Sequence, residues 1–246
     1  MRISILLACL GLMLSSLFVT AGEAPPPIRV LLVTGDDASP AHDWLSCAVA
    51  TRAVLQEAGR FELRALGGAN ALEIASNLEK ADVVYLLLYN SSTPTLSDQG
   101  KSNLVQFVAQ GKGLVLAHLA SASFSEWDEF KRLCGRAWVM GTSGHGPRGV
   151  FKATVADADH PITRGLSDFQ QDDELYAQLQ GDAPIHVLVK AESDWSKTTE
   201  PLAFVLAYGS GRVFHHTFGH DPKALSSPSV KTLIARGTAW AAGRLE

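Results

Sequence analysis

The sequence predicts an α/β fold, a doubly wound, mostly parallel sheet with helices on both faces. Three observations predict it. First, Ile28 to Val33, Asp82 to Tyr89 and Leu114 to Ala117 are unbroken apolar runs, the pattern of strands buried on both faces of a parallel sheet. Second, segments with helical spacing of apolar residues separate these runs, which is the βαβ alternation whose crossovers are right-handed. Third, polar and titratable residues follow the apolar runs, where ligands bind in open α/β sheets.

Each element has its own local reason. Pro25-Pro26-Pro27 is a stiff lead into the first strand, Ile28 to Val33, and Thr34-Gly35-Asp36-Asp37 turns off its end. His42, Asp43 and Trp44 then lead into a helix over Leu45 to Ala58, closed by Gly59. Phe61 to Ala65 is the second strand, Ile74 to Leu78 a short amphipathic helix, and Asp82 to Tyr89 a central strand ending at Asn90 and the Ser91-Ser92-Thr93-Pro94 loop. Ser97 caps the helix that carries Leu104, Phe107 and Val108, which ends at Gly111 and feeds the strand before His118. A helix with Trp127, Phe130 and Leu133 follows, then the glycine-rich stretch 141–147 around His145. Gly149 to Ala156, His186 to Ala191, Leu202 to Ala207 and Arg212 to Thr217 read as strands, the last two joined by a turn at Gly209-Ser210-Gly211. Asp172 to Tyr176 reads as an acidic stretch with two apolar anchors, and Val230 to Ala242 as the last helix. No internal repeat and no second domain is expected, so residues 25–246 form one domain.

Composition narrows the function classes. Of 246 residues 46% are hydrophobic and 19% charged, and the net charge is −4 with an isoelectric point near 6.1. No basic run lies outside the extreme N-terminus, so nucleic acid and anionic membrane surfaces are not expected partners, and a small neutral or polar ligand is. Residues 1–24 have the form of a secretory signal: Arg2, an apolar core from Ile3 to Leu14, and small residues at Val19-Thr20-Ala21 or Gly22-Glu23-Ala24 for cleavage. Ser15-Ser16 interrupt the run short of a membrane span, and the run continues past Cys9, against a lipoprotein. The mature protein is expected to be secreted or periplasmic, with no membrane attachment. Cys47 and Cys134 then remain, open to pairing or to burial as free thiols.

The strand ends supply the candidate chemistry. His42 follows the first strand, Asn90 the third, His118 the fourth, and His220 with Asp221 the last, while His145 and Glu174 lie in loops that reach the same rim. Two chemistries suit such a set. Neutral imidazoles with a carboxylate ligate zinc or a similar divalent ion, with His42, His118, His145 and His220 as the metal ligands. Without metal, His118 and His220 act as general acid and base near neutral pH, oriented by Glu174 or Asp221. Trp44, Tyr176, His42, Asn90 and Asp221 are the candidate substrate-binding residues. The remaining histidines have structural explanations: His160 precedes Pro161 in a turn, His186 is a solvent-facing strand residue, and His215 and His216 lie on opposite faces of one strand. Trp127, Trp138 and Trp195 offer surfaces for a sugar ring or for packing. Ser121 and Ser123 follow His118 without a Gly-x-Ser-x-Gly elbow, which argues against a serine hydrolase.

Several of these stretches together resemble the ThuA-like (trehalose utilisation) family, whose fold is the class I glutamine amidotransferase-like, flavodoxin-like three-layer sandwich. They are Val33-Thr34-Gly35 with His42-Asp43-Trp44, Gly111 to His118, Ser143 to Gly146, His160-Pro161-Ile162, Asp173 to Tyr176, Gly211 to Phe214 with Gly219-His220-Asp221, and Arg236-Gly237 with Trp240-Ala241, in family order. Amidotransferases of this fold place a nucleophilic cysteine at the elbow after the central strand. This elbow reads Leu116-Ala117-His118-Leu119-Ala120, and Cys134 comes too late, so glutamine hydrolysis is not expected. The resemblance implies carbohydrate metabolism: a hydrolase or lyase on glycosides or their 3-keto derivatives, or a non-catalytic carbohydrate-binding or interaction module that keeps the pocket.

Overall fold

In the computed structural model the described residues are 25–36, 42–90 and 96–245. The signal-like segment 1–24, Asp37 and the Ser91-Ser92-Thr93-Pro94 loop lie outside them. The apolar runs form β1 (Ile28–Asp36), β2 (Phe61–Gly67), β3 (Val83–Tyr89) and β4 (Gly113–Ala117), joined by α1 (Trp44–Glu57), α2 (Ala75–Glu79) and α3 (Asp98–Ala109). Then come α4 (Asp128–Cys134), β5 (Gly144–His145), β6 (Gly149–Val155), β7 (Phe169–Asp173), β8 (Tyr176–Ala177), β9 (His186–Glu192), β10 (Thr199–Tyr208), β11 (Gly211–His216), α5 (Pro222–Leu225) and α6 (Pro228–Ala241).

The large sheet is mixed, in the order β2-β1-β3-β4-β11-β10-β9-β6-β7, and β5 pairs with β8 in a separate two-stranded ribbon. The first five strands run parallel. The four beyond β11 extend the sheet antiparallel. Strand periodicity divides the buried residues between two faces. Val30, Leu32, Val115 and Ala117 pack on one side with α1 and α6 residues such as Leu55 and Leu233, and Leu31, Val33, Leu114 and Leu116 on the other with Leu104 and Val108 of α3. Ser97 caps α3 by accepting the Gly100 N–H.

Close packing explains Gly237 in the middle of α6. A Cβ there would lie 2.1 Å from two ring carbons of the buried Phe214 on β11. Gly237→Ala therefore lowers stability by about 1–3 kcal/mol, although alanine is the better helix former by about 1 kcal/mol. Thermal unfolding of the variant beside wild type measures it.

His215 and His216 are both fully buried on β11. His215 donates from Nδ1 to the Cys134 carbonyl at 2.9 Å, and His216 Nε2 lies 2.9 Å from the Tyr85 hydroxyl. Burial holds both neutral, lowering His215 to about 4 and His216 to about 3. Unfolded histidines take up protons near pH 6.5, so the unfolded state binds more protons than the native one below that pH. Stability is complete above about pH 6.5 and falls as pH drops toward 4. Between pH 7 and 5 these two residues together withdraw about 4 kcal/mol; urea midpoints across that range should fall accordingly and stay flat if the rings are exposed. Cys47 and Cys134 are buried free thiols.

Candidate functional site

The site lies at the carboxyl edge where the parallel and antiparallel halves meet. The chain leaves β4 and turns at once into a 3-10 turn, His118–Ala122, with His118 at φ +45°. Left-handed backbone is uncommon outside glycine and marks a functional constraint more often than chance. His118 is 1% exposed. Its Nδ1 donates to the Thr217 carbonyl at 2.6 Å, which leaves the Nε2 lone pair facing the site. His42 stands just before α1, whose cap is Asp43, accepting the Ser46 N–H at 3.0 Å. Glu174 follows β7. His220 follows β11 and Gly219, which has φ +123° and whose added Cβ would meet Leu225 at 2.8 Å.

These four side chains bring one ligand atom each within 4.8 Å of one another. His42 Nε2 is 3.2 Å from His118 Nε2 and 3.3 Å from His220 Nδ1. Glu174 Oε1 is 3.2 Å from His220 Nδ1, and Oε2 is 3.6 Å from His118 Nε2 and 3.8 Å from His42 Nε2. Two ligands of a tetrahedral zinc ion stand about 3.3 Å apart, given metal–ligand bonds of about 2.05 Å. The measured separations run from 3.2 to 3.8 Å, counting one or other Glu174 oxygen, near that value, and the whole set lies within 4.8 Å. Glu174 Oε2 is buried without a hydrogen-bond partner, a cost that a converging ligand bears when a cation sits beside it. Burial works to raise the Glu174 carboxyl, but the surrounding imidazoles, His118 foremost, hold it at about 2. Burial, reinforced by His118, lowers His42 to about 4, so it is a neutral donor at pH 7. The His/Glu cluster could thus hold a metal ion.

His145 and Tyr176 form the second rank. They are partners in the β5–β8 ribbon, with rings stacked at 5.9 Å. The Tyr176 hydroxyl donates to His118 Nε2 at 2.9 Å, and its ring stacks on that of His118 at 4.2 Å. Burial keeps the phenol protonated, its pKa well above the usual 10. His145 Nδ1 lies 2.7 Å from the Gly146 carbonyl, and Nε2 is 3.7 Å from Glu174 Oε2. A third of this side chain is exposed, the most of any ring around Glu174.

The remaining candidate residues are placed as follows. Trp44 lies beside the His42–His118 edge with its ring over Gly35, 3.6 Å from where a Cβ would stand. Asn90 is buried at the end of β3, its backbone N–H donating to Ser123 Oγ and its carbonyl accepting from Phe124 N. Asp221 caps α5 through the Ala224 N–H at 2.8 Å and pairs with Arg148. His186, half-exposed, pairs with Asp157 at 2.8 Å.

Sequence reasoning missed Asp173, which is fully buried and assembles the site through the backbone. It accepts N–H bonds from Gly219 (2.8 Å), His220 (3.1 Å) and Glu174 (2.9 Å), tying together the segments that carry two of the four cluster residues. Burial raises its carboxyl, while the nearby His118 and these N–H groups oppose the shift. An acid that serves main-chain donors leaves no spacing signal; only its place beside Glu174 hints at the role.

Fold and site together define an amidotransferase-like α/β protein whose elbow projects a histidine into a His/Glu cluster. Residues 29–241 match the model of the ThuA family, described as trehalose utilisation, and the chain belongs to that family. Its structure is similar to that of a ThuA-like protein from Parabacteroides merdae, 26% identical, with 89% of this chain and 91% of the other aligned at a TM-score of 0.79. A ThuA-like protein from Bacteroides uniformis aligns at 0.71, with 18% identity over 90% of this chain and 94% of the other. A cytoplasmic protein from Salmonella typhimurium aligns at 0.59, with 12% identity over 87% and 99%, a likeness of fold alone. No curated protein sequence matches this one.

Proposed function

We propose that this protein is a metal-dependent enzyme of carbohydrate metabolism, a hydrolase or lyase acting on glycosides or 3-keto-glycosides outside the cytoplasm. The observation that carries the reading is the convergence of His42, His118, Glu174 and His220, one ligand atom each within 4.8 Å of one another, with a buried Glu174 oxygen among the rings. Membership of the trehalose utilisation family supports the carbohydrate part, and the signal-like N-terminal sequence supports the location. A divalent cation such as zinc, held by these four residues, would supply electrophilic polarisation of a sugar oxygen.

The chain's own groups supply the rest. With four side chains engaged as ligands, His145 is the imidazole beside the cluster left to move a proton, and its partial exposure gives it access to substrate. In a 3-keto sugar the hydrogen next to the carbonyl is acidic, so one base suffices to begin elimination of the glycosidic oxygen. With His118 Nε2 taken by the ion, the Tyr176 hydroxyl would give up its 2.9 Å bond to that nitrogen, and as a protonated phenol it would donate to negative charge developing on a neighbouring oxygen.

Metal analysis of protein purified without chelator, followed by turnover assays on trehalose and 3-keto-glycosides, tests the reading. The expected result is one divalent ion per chain, activity lost on chelation, and a His145→Ala variant that keeps the ion but not the turnover. Protein that neither contains nor binds a divalent ion would sink the metal-dependent reading. An ion with sugar binding but no turnover would favour a non-catalytic module.

A further inference from the structure

The cluster leaves a second feature unexplained, the cleft beside Trp195. Trp195 stands at the tip of the β9–β10 turn and is 46% exposed. That turn is rigid. Ser193 Oγ accepts the N–H groups of Trp195 and Ser196, both at 3.2 Å, and Ser193 exchanges backbone bonds with Lys197 and Thr198. The indole is also seated from below, because a Cβ on Gly144 would come within 2.5 Å of its Cζ2, a position that only glycine leaves open. A large aromatic side chain is thus held in place on the surface, where ordinary packing would have hidden it.

Trp195 forms one wall of a cleft of about 210 Å³. Pro147, Val150 and Leu175 supply apolar surface there, and Val150 is 69% exposed. Glu192 and Asp194 supply carboxylates, and the lining contains no lysine or arginine among the described residues. That combination disfavours anions and suits a neutral polyol. A flat apolar face meets the C–H surface of a sugar ring, and carboxylates, which only accept, meet hydroxyls, which donate. The cleft also shares its wall with the cluster: Gly146 follows His145, and Asp173 and Leu175 flank Glu174.

We infer that this cleft is a second sugar-ring subsite, with Trp195 as its stacking platform, next to the ring that is processed at the His/Glu cluster. The inference rests on the carbohydrate reading above and names a two-ring substrate for it. Titration calorimetry with trehalose tests it on the mature protein as purified, with maltose and cellobiose as alternative two-ring probes. Trp195→Ala should weaken binding of the two-ring sugar about tenfold, with divalent-ion content unchanged. Trp195→Phe, which keeps a flat ring and guards against a folding defect, should lose much less, and Asp194→Asn should also weaken binding. Wild-type affinity in Trp195→Ala would overturn the subsite while leaving the carbohydrate reading intact. Failure of trehalose, maltose and cellobiose alike to bind wild type would overturn both.

Discussion

With the proposed ion in the cluster, Glu174→Gln is expected to lower divalent-ion affinity by at least about 100-fold, the upper range for losing even an outer-shell partner of a metal site, while leaving the fold in place. The substitution preserves shape and removes the negative charge that faces four imidazoles at 3.2 to 3.8 Å. Glu174 Oε2 makes no hydrogen bond, and the 3.2 Å contact of Oε1 with His220 Nδ1 is one that the glutamine amide can keep. His118→Ala should lose the ion as completely and be less stable besides, since it abandons the 2.6 Å bond to the Thr217 carbonyl and opens a cavity under Tyr176. Competition with a chelating dye reads affinity, and circular dichroism reads the fold. Undiminished ion binding by folded Glu174→Gln would show that the cluster is a hydrogen-bonded histidine network and not a metal centre.

Asp173→Ala costs about 3–5 kcal/mol, because three buried backbone N–H groups lose a charged acceptor in one step. Asp173→Asn costs less, about 2 kcal/mol: one amide oxygen still accepts, but the amide nitrogen faces a donor. Urea denaturation measures both. In either variant the Gly219-His220 and Glu174 segments are no longer tied together, so ion affinity should fall with stability even though no ligand has been touched. A loss of less than about 1 kcal/mol in Asp173→Ala would mean that the segments hold their positions without the carboxylate.

The parallel half was legible because its strands are buried on both sides and therefore read as unbroken apolar runs, as in Val83 to Leu88. In the antiparallel half β6, β9 and β10 were legible as strands too, but the edge strand β7 was not. In Phe169–Asp173 the inward residues are Gln171 and Asp173, both almost fully buried, so the usual apolar-in alternation is replaced by polar groups serving Ala224, Ser227 and Gly219. The ribbon of Gly144–His145 with Tyr176–Ala177 is two residues long on each side and has no period to detect. Three of the four clustered residues could be named because strand ends in this architecture point to one rim. What no sequence pattern discloses is distance. Glu174 stood among loop residues of equal standing, and the roles of the Thr217 carbonyl and of Asp173 are main-chain affairs that depend on how two distant segments cross.

The position of β11 bears on how the chain is made. Among the described residues it is the last strand in chain order, yet it lies between β4 and β10, bonded in register to Gly113–Ala117 on one side and to Ala203–Tyr208 on the other. A nascent chain that has emerged only through residue 208 therefore carries β4 with one bare edge, and that edge is the apolar sequence Gly-Leu-Val-Leu-Ala. Such an unfilled slot favours capture by chaperones or by a second incomplete chain until the closing hairpin arrives. His220, four residues beyond that hairpin, completes the cluster only after the slot has closed, so an assembled site certifies a closed sheet.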